Sequence, residues 1–391
     1  MTLDHLLDAI VVPRPNGSEA LAQVARFLET TLRASGAQVG AEAFAATPWG
    51  FRLAFGVALL LVLGAVAAVA ARRFGPALAL ALAAPVLLFA EFELLFSPVS
   101  GLLERPQVNV VGEFPGAADG PTLILSAHYD STTHFGDHFT WHAWGLALGP
   151  ASAALVGLSA AGLVMRRRGR ALPRVPSVAL ALAATVPYAA MAWFDAAGPL
   201  LREPSPGALD DGGSVAALLL LAPALAERGT APPVTVRLVF FSAEEERALG
   251  SWAYAQAHAA ACGTAVVNLE GIGAEGELGL VTEDGFELRR FASPPWLAVL
   301  VDDAARDATG APVARAALPR GSHTDGRSFL AHGVPAVSLV GSEGGGFPHG
   351  LHSFRDARAR LSTPAIEKAV AVLRALVSRL DRAPGRIPRC P

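Results

Sequence analysis

Histidines and carboxylates stand at the points where short apolar, β-branched runs of this sequence end. The first group directly follows such runs, with His128 and Asp130 after 122–127, Glu244 and Glu245 after 234–242, and Glu270 after 265–269. Two more lie in loops, where Asp210 opens an Asp-Asp-Gly-Gly stretch and His352 follows a glycine-rich segment. Imidazole and carboxylate together are ligands that suit zinc or a similar divalent metal.

The number of these residues allows two metal ions that share one carboxylate. Such a pair, typically ~3.5–4 Å apart, can hold a nucleophilic water and the substrate oxygen. Taken singly, each motif has an ordinary explanation, because Asp-Asp-Gly-Gly is typical of a turn and adjacent glutamates are typical of helix starts. Five motifs that all fall at strand ends or in loops indicate a hydrolytic two-metal site.

The elements that must position these residues alternate between strands and helices. Strand patterns cover 109–113, 122–127, 234–242, 265–269 and 336–340. Helix patterns cover 18–34, 214–228, 249–260, 295–308 and 363–380. This alternation predicts an α/β fold with a mostly parallel sheet flanked by helices. Ligands of such sheets bind beyond the carboxyl ends of the strands, where the residues above lie.

Five motifs resemble, in the same order, those of the co-catalytic zinc aminopeptidase family, which includes bacterial leucyl aminopeptidases and endoplasmic-reticulum membrane metallopeptidases. They are AHYDS at 127–131, ALDDGGS at 208–214, SAEEERALGS at 242–251, NLEGIG at 268–273 and LHSFRD at 351–356. Residues 13–39 also resemble the opening helix of that family. The resemblance implies a zinc-peptidase-like domain that removes N-terminal residues from peptides.

The resemblance also implies a ligand set for two Zn²⁺ ions per chain. The ligands are His128 and Glu270 for one ion, Glu245 and His352 for the other, and Asp210 as the bridge between them. A cis peptide bond between Asp210 and Asp211 is part of the same expectation.

Two residues are implied to be catalytic without binding metal. Glu244 is the general base, which takes a proton from the attacking water and passes it to the leaving amine. Asp130 orients the imidazole of His128 and fixes its tautomer. The three glutamates at 244–246 leave the register open, and the Leu-Gly-Ser at 249–251 favours Glu244 as the base.

Substrate contacts are expected from His323, Asp325 and Arg327. The stretch Thr-Asp-Gly-Arg at 324–327 resembles a Thr-Asp-Phe-Arg stretch of the endoplasmic-reticulum branch. It lacks the histidine that follows this aspartate in many soluble members. His349 competes with His352 for the ligand position, and the Ser and Asp that follow favour His352.

Apolar residues dominate the composition, with 52% hydrophobic and 17% charged residues and a mean hydropathy of +0.41. Four stretches are apolar enough to cross a bilayer, which takes roughly 20 residues. They are 53–71, 74–96, 145–165 and 175–194. Buried core helices are the alternative, but two tight pairs favour hairpins in lipid. The expected organisation is a peptidase domain at 1–50, 98–140 and 196–391, interrupted by transmembrane hairpins at 51–97 and 141–195.

The charges between the paired stretches predict an orientation. The short loops contain arginines and no acids: Arg72 and Arg73 in the first, Arg166, Arg167, Arg168, Arg170 and Arg174 in the second. By the positive-inside rule both loops are cytoplasmic. The catalytic domain and both termini of this multi-pass protein are then extracytoplasmic. An even number of spans in each insertion agrees, because it returns the chain to one side.

Three histidines and two glutamates near the apolar stretches have more than one interpretation. His134, His138 and His142 recur at helical spacing, which allows a third metal or a gating face. We expect them instead to be polar residues at a membrane interface. Glu91 and Glu93 are expected at the interface as well, rather than in an ion path.

The remaining composition limits partners and redox chemistry. Cys262 and Cys390 allow either one disulfide or two separate thiols. A net charge of -3 without a basic run argues against nucleic-acid binding. No oligomeric state is indicated by the sequence.

These inferences together predict a membrane-anchored zinc metallopeptidase of the aminopeptidase type, with a peptide substrate and the lipid bilayer as partners. One alternative is an amidohydrolase acting on a non-peptide or lipid-linked substrate. Another is a catalytically inactive binding or assembly module, against which the intact Glu244 argues. A transporter is the third, and the uniformly apolar spans argue against it.

Overall fold

The structure is a computed structural model that describes residues 2–229, 231–258, 263–286, 288–319, 321–344 and 346–388. Cys262 and Cys390, and with them the disulfide question, lie outside the described residues. The chain divides into two compact units. We call residues 1–46, 105–133 and 203–391 the sheet unit, and residues 47–104 and 134–202 the helical unit.

The sheet unit is built on an eight-stranded sheet in the order β1-β2-β4-β3-β5-β10-β6-β9. The strands are β1 Gln38–Ala46, β2 Arg105–Phe114, β3 Thr122–His128, β4 Thr235–Phe241, β5 Thr264–Glu270, β6 Leu278–Val281, β9 Ala314–Ala316 and β10 Ala336–Gly341, with β7 Glu283–Gly285 and β8 Arg290–Ala292 forming a separate hairpin. The four central strands β4, β3, β5 and β10 are parallel. This central part confirms the predicted mixed α/β fold.

Helices cover both faces of this sheet. They are α1 Leu3–Ile10, α2 Glu19–Ala34, α8 Gly213–Ala226, α9 Leu249–His258, α10 Pro295–Thr309, α11 Gly326–Ala331 and α12 Thr363–Arg382. Alternate strand residues face opposite layers. Leu123 and Leu125 join the core shared with α1, α2, α8, α10 and α12, whereas Ile124 packs with Tyr254 of α9 and Phe329 of α11.

The helical unit consists of α3 Gly50–Ala70, α4 Phe74–Phe92, α5 His138–Arg167, α6 Arg174–Ala183 and α7 Val186–Leu201. Aromatic rings pack its helices together, with Phe51 and Phe92 centroids 5.0 Å apart and Phe51 and Trp141 centroids 5.7 Å apart. Many apolar side chains remain exposed, among them Leu60 at 67% and Val86 at 64%. An aqueous surface would normally carry polar residues at such positions.

Within the described residues, five helical stretches are long and apolar enough to cross a membrane, judged by length and composition. Four belong to the helical unit: Gly50–Ala70, Phe74–Phe92, His138–Arg167 and Arg174–Leu201. The fifth, Ala208–Ala226, contains α8 and is 83% buried within the protein. A core helix surrounded by protein is apolar on all sides, so its composition has a structural explanation.

The structure differs from the sequence-based expectation at several elements. The predicted stretch 175–194 is two helices, because residues 184–185 separate α6 from α7. The predicted stretch 74–96 ends as a helix at Phe92. The sheet was predicted to be mostly parallel, and its pairs β1–β2, β2–β4 and β10–β6 are antiparallel. The last residues of the helix predicted at 249–260 lie outside the described part of the chain.

Candidate metal centre

The predicted ligands meet at the carboxyl ends of the parallel strands. His128 is the last residue of β3 and Glu270 the last of β5, while Glu245 follows β4 and His352 lies in the loop after β10. Asp210 comes from the turn that precedes α8. The side chains of these five residues are at most 12% exposed, so the site is buried.

Asp210 lies between two histidines. Its Oδ1 is 3.0 Å from Nε2 of His128, and its Oδ2 is 2.9 Å from Nε2 of His352. Glu270 Oε1 lies 3.5 Å from His128 Nε2 on one side, and Glu245 Oε2 lies 3.0 Å from His352 Nε2 on the other. One carboxylate therefore faces two separate sets of ligand atoms.

Two groups of described residues could each hold a metal ion. They are His128 with Asp211 and Glu270, and Asp210 with Glu245 and His352, with the ligand atoms of each group within 4.8 Å of one another. The first group contains Asp211, which was not predicted as a ligand. Both oxygens of Asp211 accept backbone hydrogen bonds, from Gly271 at 3.0 Å and His128 at 3.4 Å. Asp210 faces both histidines and is the better shared ligand. The peptide bond between Asp210 and Asp211 is cis, as the resemblance implied.

Several buried polar atoms at this site make no hydrogen bond within the described residues, as expected for atoms that bind a metal. Neither ring nitrogen of His128 makes a hydrogen bond within the described residues, and the same holds for Oε2 of Glu270. A buried polar atom without a hydrogen bond is costly. Imidazole and carboxylate groups aimed at one point are also the donor set that zinc prefers. The residues present therefore fit a zinc centre.

The electrostatics of the site are those of crowded buried carboxylates. Burial and the nearby Asp210 together raise the pKa of Glu245 to about 7, although His352 opposes the rise. Burial also acts to raise the pKa of Asp210, but the close imidazoles of His128 and His352 hold this pKa well below its ordinary value. A cation placed among these groups would relieve the repulsion between the carboxylates.

Asp130 accepts hydrogen bonds from the loop that carries Glu244 and Glu245. Its Oδ1 accepts a hydrogen bond from the amide of Glu244 at 3.1 Å, and its Oδ2 accepts one from the amide of Glu245 at 3.2 Å. Oδ1 also lies 3.5 Å from Nδ1 of His128. Asn16 donates to Oδ2 at 2.8 Å. One carboxylate thus orients an imidazole and the loop that carries both glutamates.

Glu244 lies beside both ligand groups and belongs to neither. Its Oε2 is 3.9 Å from Nε2 of His128, and its Oε1 is 3.6 Å from Nε2 of His323. The ring of His323 in turn packs against Phe286, with centroids 5.6 Å apart. The structure therefore brings one of the three predicted substrate residues next to the predicted base.

The other two predicted substrate residues are buried. Asp325 has no exposed surface, and burial raises its pKa to about 8. Arg327 is 3% exposed, and its guanidinium carbon lies 5.6 Å from the centroid of Phe286. Contact of these two side chains with a substrate stays a prediction.

The sequence left two questions about histidines open: whether His349 or His352 is the ligand, and what the three histidines after β3 do. His352 reaches Asp210 and Glu245, whereas His349 is exposed and its amide donates to Glu343. The three histidines after β3 lie in the helical unit, where Nε2 of His134 is 3.7 Å from Asp195 Oδ1. These three residues are His134, His138 and His142. Neither of the two metal-binding groups found among the described residues contains them.

Asp356 is a site residue that was not predicted. Its Oδ1 accepts from the amide of Leu209 at 2.7 Å and its Oδ2 from the amide of Asp210 at 3.1 Å. Its own carbonyl accepts from the amide of Ala208 at 3.1 Å. The turn that presents Asp210 is thereby fixed by the LHSFRD motif, which also supplies His352. The position of Asp356 at the end of the LHSFRD motif was the sequence signal that could have identified it as a site residue.

The chain is an α/β protein with two candidate metal-binding groups at the carboxyl edge of its sheet. The model of peptidase family M28 matches residues 183–377, which include every predicted ligand except His128. This match confirms the resemblance to the co-catalytic zinc aminopeptidase family and supports a zinc peptidase. No curated protein matches the chain at a significant level.

Solved structures with the same fold are distant in sequence. A Zn-dependent exopeptidase from Parabacteroides distasonis is 14% identical with a TM-score of 0.55, covering 96% of each chain. An aminopeptidase from Aneurinibacillus sp. strain AM-1 is 15% identical with a TM-score of 0.54, covering 100% of this chain and 96% of that one. A glutaminyl cyclase from Bacteroides thetaiotaomicron is 14% identical with a TM-score of 0.53, covering 96% and 94%. At these identities the similarity concerns the fold.

Proposed function

We propose that the protein is a membrane-anchored zinc metallopeptidase that removes N-terminal residues from peptides. The observation that supports this most is the position of Asp210, whose two oxygens face His128 and His352. Glu244 lies next to this centre without being a member of either ligand group. A bridged pair of ligand sets with a separate carboxylate is an arrangement suited to hydrolysis by an activated water.

Five residues would hold two zinc ions: His128 and Glu270, Glu245 and His352, and Asp210 between them. The chemistry that zinc supplies when bound is polarisation of the scissile carbonyl and a lowered pKa for the attacking water. Asp130 keeps the imidazole of His128 and the 244–245 backbone in place through the contacts described above.

Glu244 is the proposed general base. It takes the proton of the attacking water and delivers it to the amine that leaves. Because His323 Nε2 is 3.6 Å from Glu244 Oε1, a substrate carbonyl or amine at the base also lies within reach of that imidazole. We assign substrate contact to His323, and retain Asp325 and Arg327 as proposed walls of the same pocket.

Glu244→Gln tests this role. The change keeps the size of the side chain and removes its basicity, so turnover of aminoacyl substrates should fall on the order of 100- to 10,000-fold. Zinc content should stay at the wild-type level, because Glu244 is not a ligand. Glu246→Gln is the matched control and should retain turnover. Unchanged turnover in Glu244→Gln would contradict the assignment and favour a binding or assembly module.

The fold shared with a bacterial glutaminyl cyclase suggests a second candidate reaction. Both reactions act on the N-terminal residue of a peptide, but hydrolysis releases a free amino acid and cyclisation of glutamine releases ammonia. Incubation with a peptide that begins with glutamine separates them by product. An amidohydrolase acting on a non-peptide or lipid-linked substrate would leave this peptide intact.

We propose that α3, α4, α5 and the pair α6–α7 cross the membrane as two hairpins. Their exposed apolar side chains and their length support this. By the positive-inside rule, the arginines of the loops at 72–73 and 166–174 favour a cytoplasmic location for those loops, and an extracytoplasmic location for the sheet unit and both termini. A reporter inserted after Gly169 should be cytoplasmic and one at the C-terminus extracytoplasmic. The reverse result would overturn the orientation.

A further inference from the structure

Arg14 is a fully buried arginine in the segment that joins α1 to α2. Its guanidinium donates four hydrogen bonds, all to backbone carbonyl oxygens. The acceptors are Tyr129 at 2.7 Å, Val12 at 3.2 Å, Pro206 at 2.5 Å and Gly207 at 2.9 Å. Buried arginines are rare unless they are paired with a counter-charge, so this arrangement needs an explanation.

The carbonyls that Arg14 binds belong to the two segments that carry metal ligands. Tyr129 stands between His128 and Asp130 at the end of β3, and Pro206–Gly207 open the turn that ends in Asp210. One guanidinium therefore joins two segments that are far apart in sequence. Its rigid fork of donors can satisfy several carbonyls at once, which a lysine cannot reproduce.

The turn that presents Asp210 is held from two sides. Arg14 donates to the carbonyls of Pro206 and Gly207, while the Asp356 carboxylate accepts from the amides of Leu209 and Asp210. The backbone at Gly207 has a φ of 61°, and a Cβ there would lie 2.9 Å from Nη1 of Arg14 and 2.6 Å from the carbonyl oxygen of Asp210. Glycine at this position permits the close approach.

Backbone contacts strengthen the connection to the other segment. The amide of Arg14 donates to Oγ of Ser131 at 3.0 Å, and the amide of Ser131 donates to the carbonyl of Arg14 at 3.2 Å. Two residues on, Asn16 donates to Asp130. Residues 14–16 thus contact 129, 130 and 131, which directly follow the proposed ligand His128 and include Asp130.

A second arginine, Arg228, provides a comparison, and its side chain is 7% exposed. It donates through Nε and Nη2 to the carboxylate of Asp381 at 2.8 and 2.6 Å, and through Nη2 to the carbonyl of Val234. These bonds join the end of α8 to α12 and to the start of β4, and none of their acceptors lies in 128–131 or 206–211. Arg14 instead faces the site, where its charge acts on Asp130, Asp210, Asp211 and Asp356.

We infer that Arg14 is a positioning residue that fixes Asp210 between His128 and His352 and thereby sets the zinc affinity of the centre. The inference rests on the zinc centre of the proposed function. Arg14 touches no reacting atom in this account. It acts through the backbone of the two ligand segments and through its positive charge beside the buried carboxylates.

The test measures zinc affinity of the detergent-purified full chain, stripped with a chelator and titrated in competition with a chromophoric zinc chelator. Arg14→Met removes the charge and the donors at similar volume, and should weaken zinc binding about 10- to 100-fold, the range for residues that orient ligands. Arg14→Lys keeps the charge and should lie between this variant and wild type. Arg228→Met is the matched control and should bind zinc as the wild type does.

The unfolding midpoint of each metal-free protein separates positioning from general stability. Arg228→Met should lower this midpoint while leaving zinc affinity unchanged, and Arg14→Lys should leave the protein folded. Wild-type zinc affinity in Arg14→Met, or an equal loss in Arg228→Met, would overturn the inference. Absence of zinc binding by the wild-type chain would instead refute the proposed zinc centre.

Discussion

His128 and His352 approach opposite oxygens of the same carboxylate, that of Asp210, at 3.0 and 2.9 Å. The two histidines are 224 residues apart in the sequence. His128 is the last residue of β3, and His352 lies in the loop that follows β10. Their meeting depends on the parallel order of the central strands, which delivers both ends to one edge of the sheet. The site is therefore a product of the topology.

Asp356→Asn tests how much the bridge depends on its support. The amide retains one acceptor oxygen and replaces the other by a donor that faces a backbone N–H, so the turn at 209–210 loses a hydrogen bond. We expect zinc affinity to fall about 10-fold or more. Asp302→Asn, which alters a carboxylate paired with Arg315, is the control for zinc titration. Equal zinc affinity in both variants would contradict the role of Asp356.

Asp130→Asn tests whether Asp130 orients the loop that carries Glu244 and Glu245. One of the two oxygens that accept from the amides of Glu244 and Glu245 becomes an NH₂ group. Turnover should fall about 10- to 100-fold as the loop and the imidazole of His128 lose their orientation. Steady-state kinetics of aminoacyl hydrolysis provide the measurement. Asn16→Ala, which removes only the neighbour of Asp130, should produce a smaller loss of turnover. The reverse order would contradict this account.

Asp302 allows a prediction on pH. Its carboxylate accepts from both Nη atoms of Arg315 at 3.0 and 2.6 Å and from the amide of Val313 at 3.2 Å. The hydrogen bond from Arg315 is the main cause that lowers the pKa of Asp302 in the folded protein. A lowered folded pKa means stability that is present above the ordinary aspartate value and is lost as pH falls through the folded value.

Asp302→Asn should therefore cost about 1 kcal/mol at pH 7, near the upper end for such pairs. The difference from wild type in unfolding midpoint should shrink as pH falls from 7 to 3. Glu19→Gln breaks an exposed pair with Arg26 and should leave the midpoint unchanged at both pH values. If Asp302→Asn lowers the stability equally from pH 7 to pH 3, the ion pair between Asp302 and Arg315 is not the source of the lost stability.

Leu60→Arg distinguishes lipid from water around α3. Leu60 is 67% exposed at the middle of this helix. In water the change would have little effect, whereas in a bilayer a central arginine costs about 2.5–3.5 kcal/mol. We expect Leu60→Arg to lower the amount of protein in the membrane fraction. Leu102→Arg, at a 79% exposed position outside the spans, should be tolerated. Equal accumulation of both variants would contradict a membrane-spanning α3.

Much of the central sheet was predictable because its strands are buried on both faces. Such strands read as continuous apolar runs, and the polar residue that ends each run marks the edge of the sheet. The edge strand β1 was missed because most of Gln38–Ala46 is at least partly exposed and has no apolar run. Short strands such as β9, three residues long, carry too little pattern to detect.

The ligands could be predicted from the sequence because each belongs to a motif with an unusual residue order. Arg14 and Asp356 were not predicted as site residues. Both act through backbone carbonyls and amides, which leave no trace in side-chain spacing. A buried arginine also looks like any surface arginine in a sequence, since its burial depends on segments almost 200 residues away. Asp356 could have been found from its place in the LHSFRD motif, whereas Arg14 is recognised as a site residue only in the folded structure.

The most direct test of the central claim is the zinc content of the detergent-purified protein, measured for wild type beside Asp210→Ala. We expect about two zinc ions per wild-type chain. We also expect a sharp fall in the variant, because Asp210 is the carboxylate that, among the described residues, faces both histidines. No bound metal in the wild-type protein after zinc is supplied, or equal zinc in both proteins, would contradict the account.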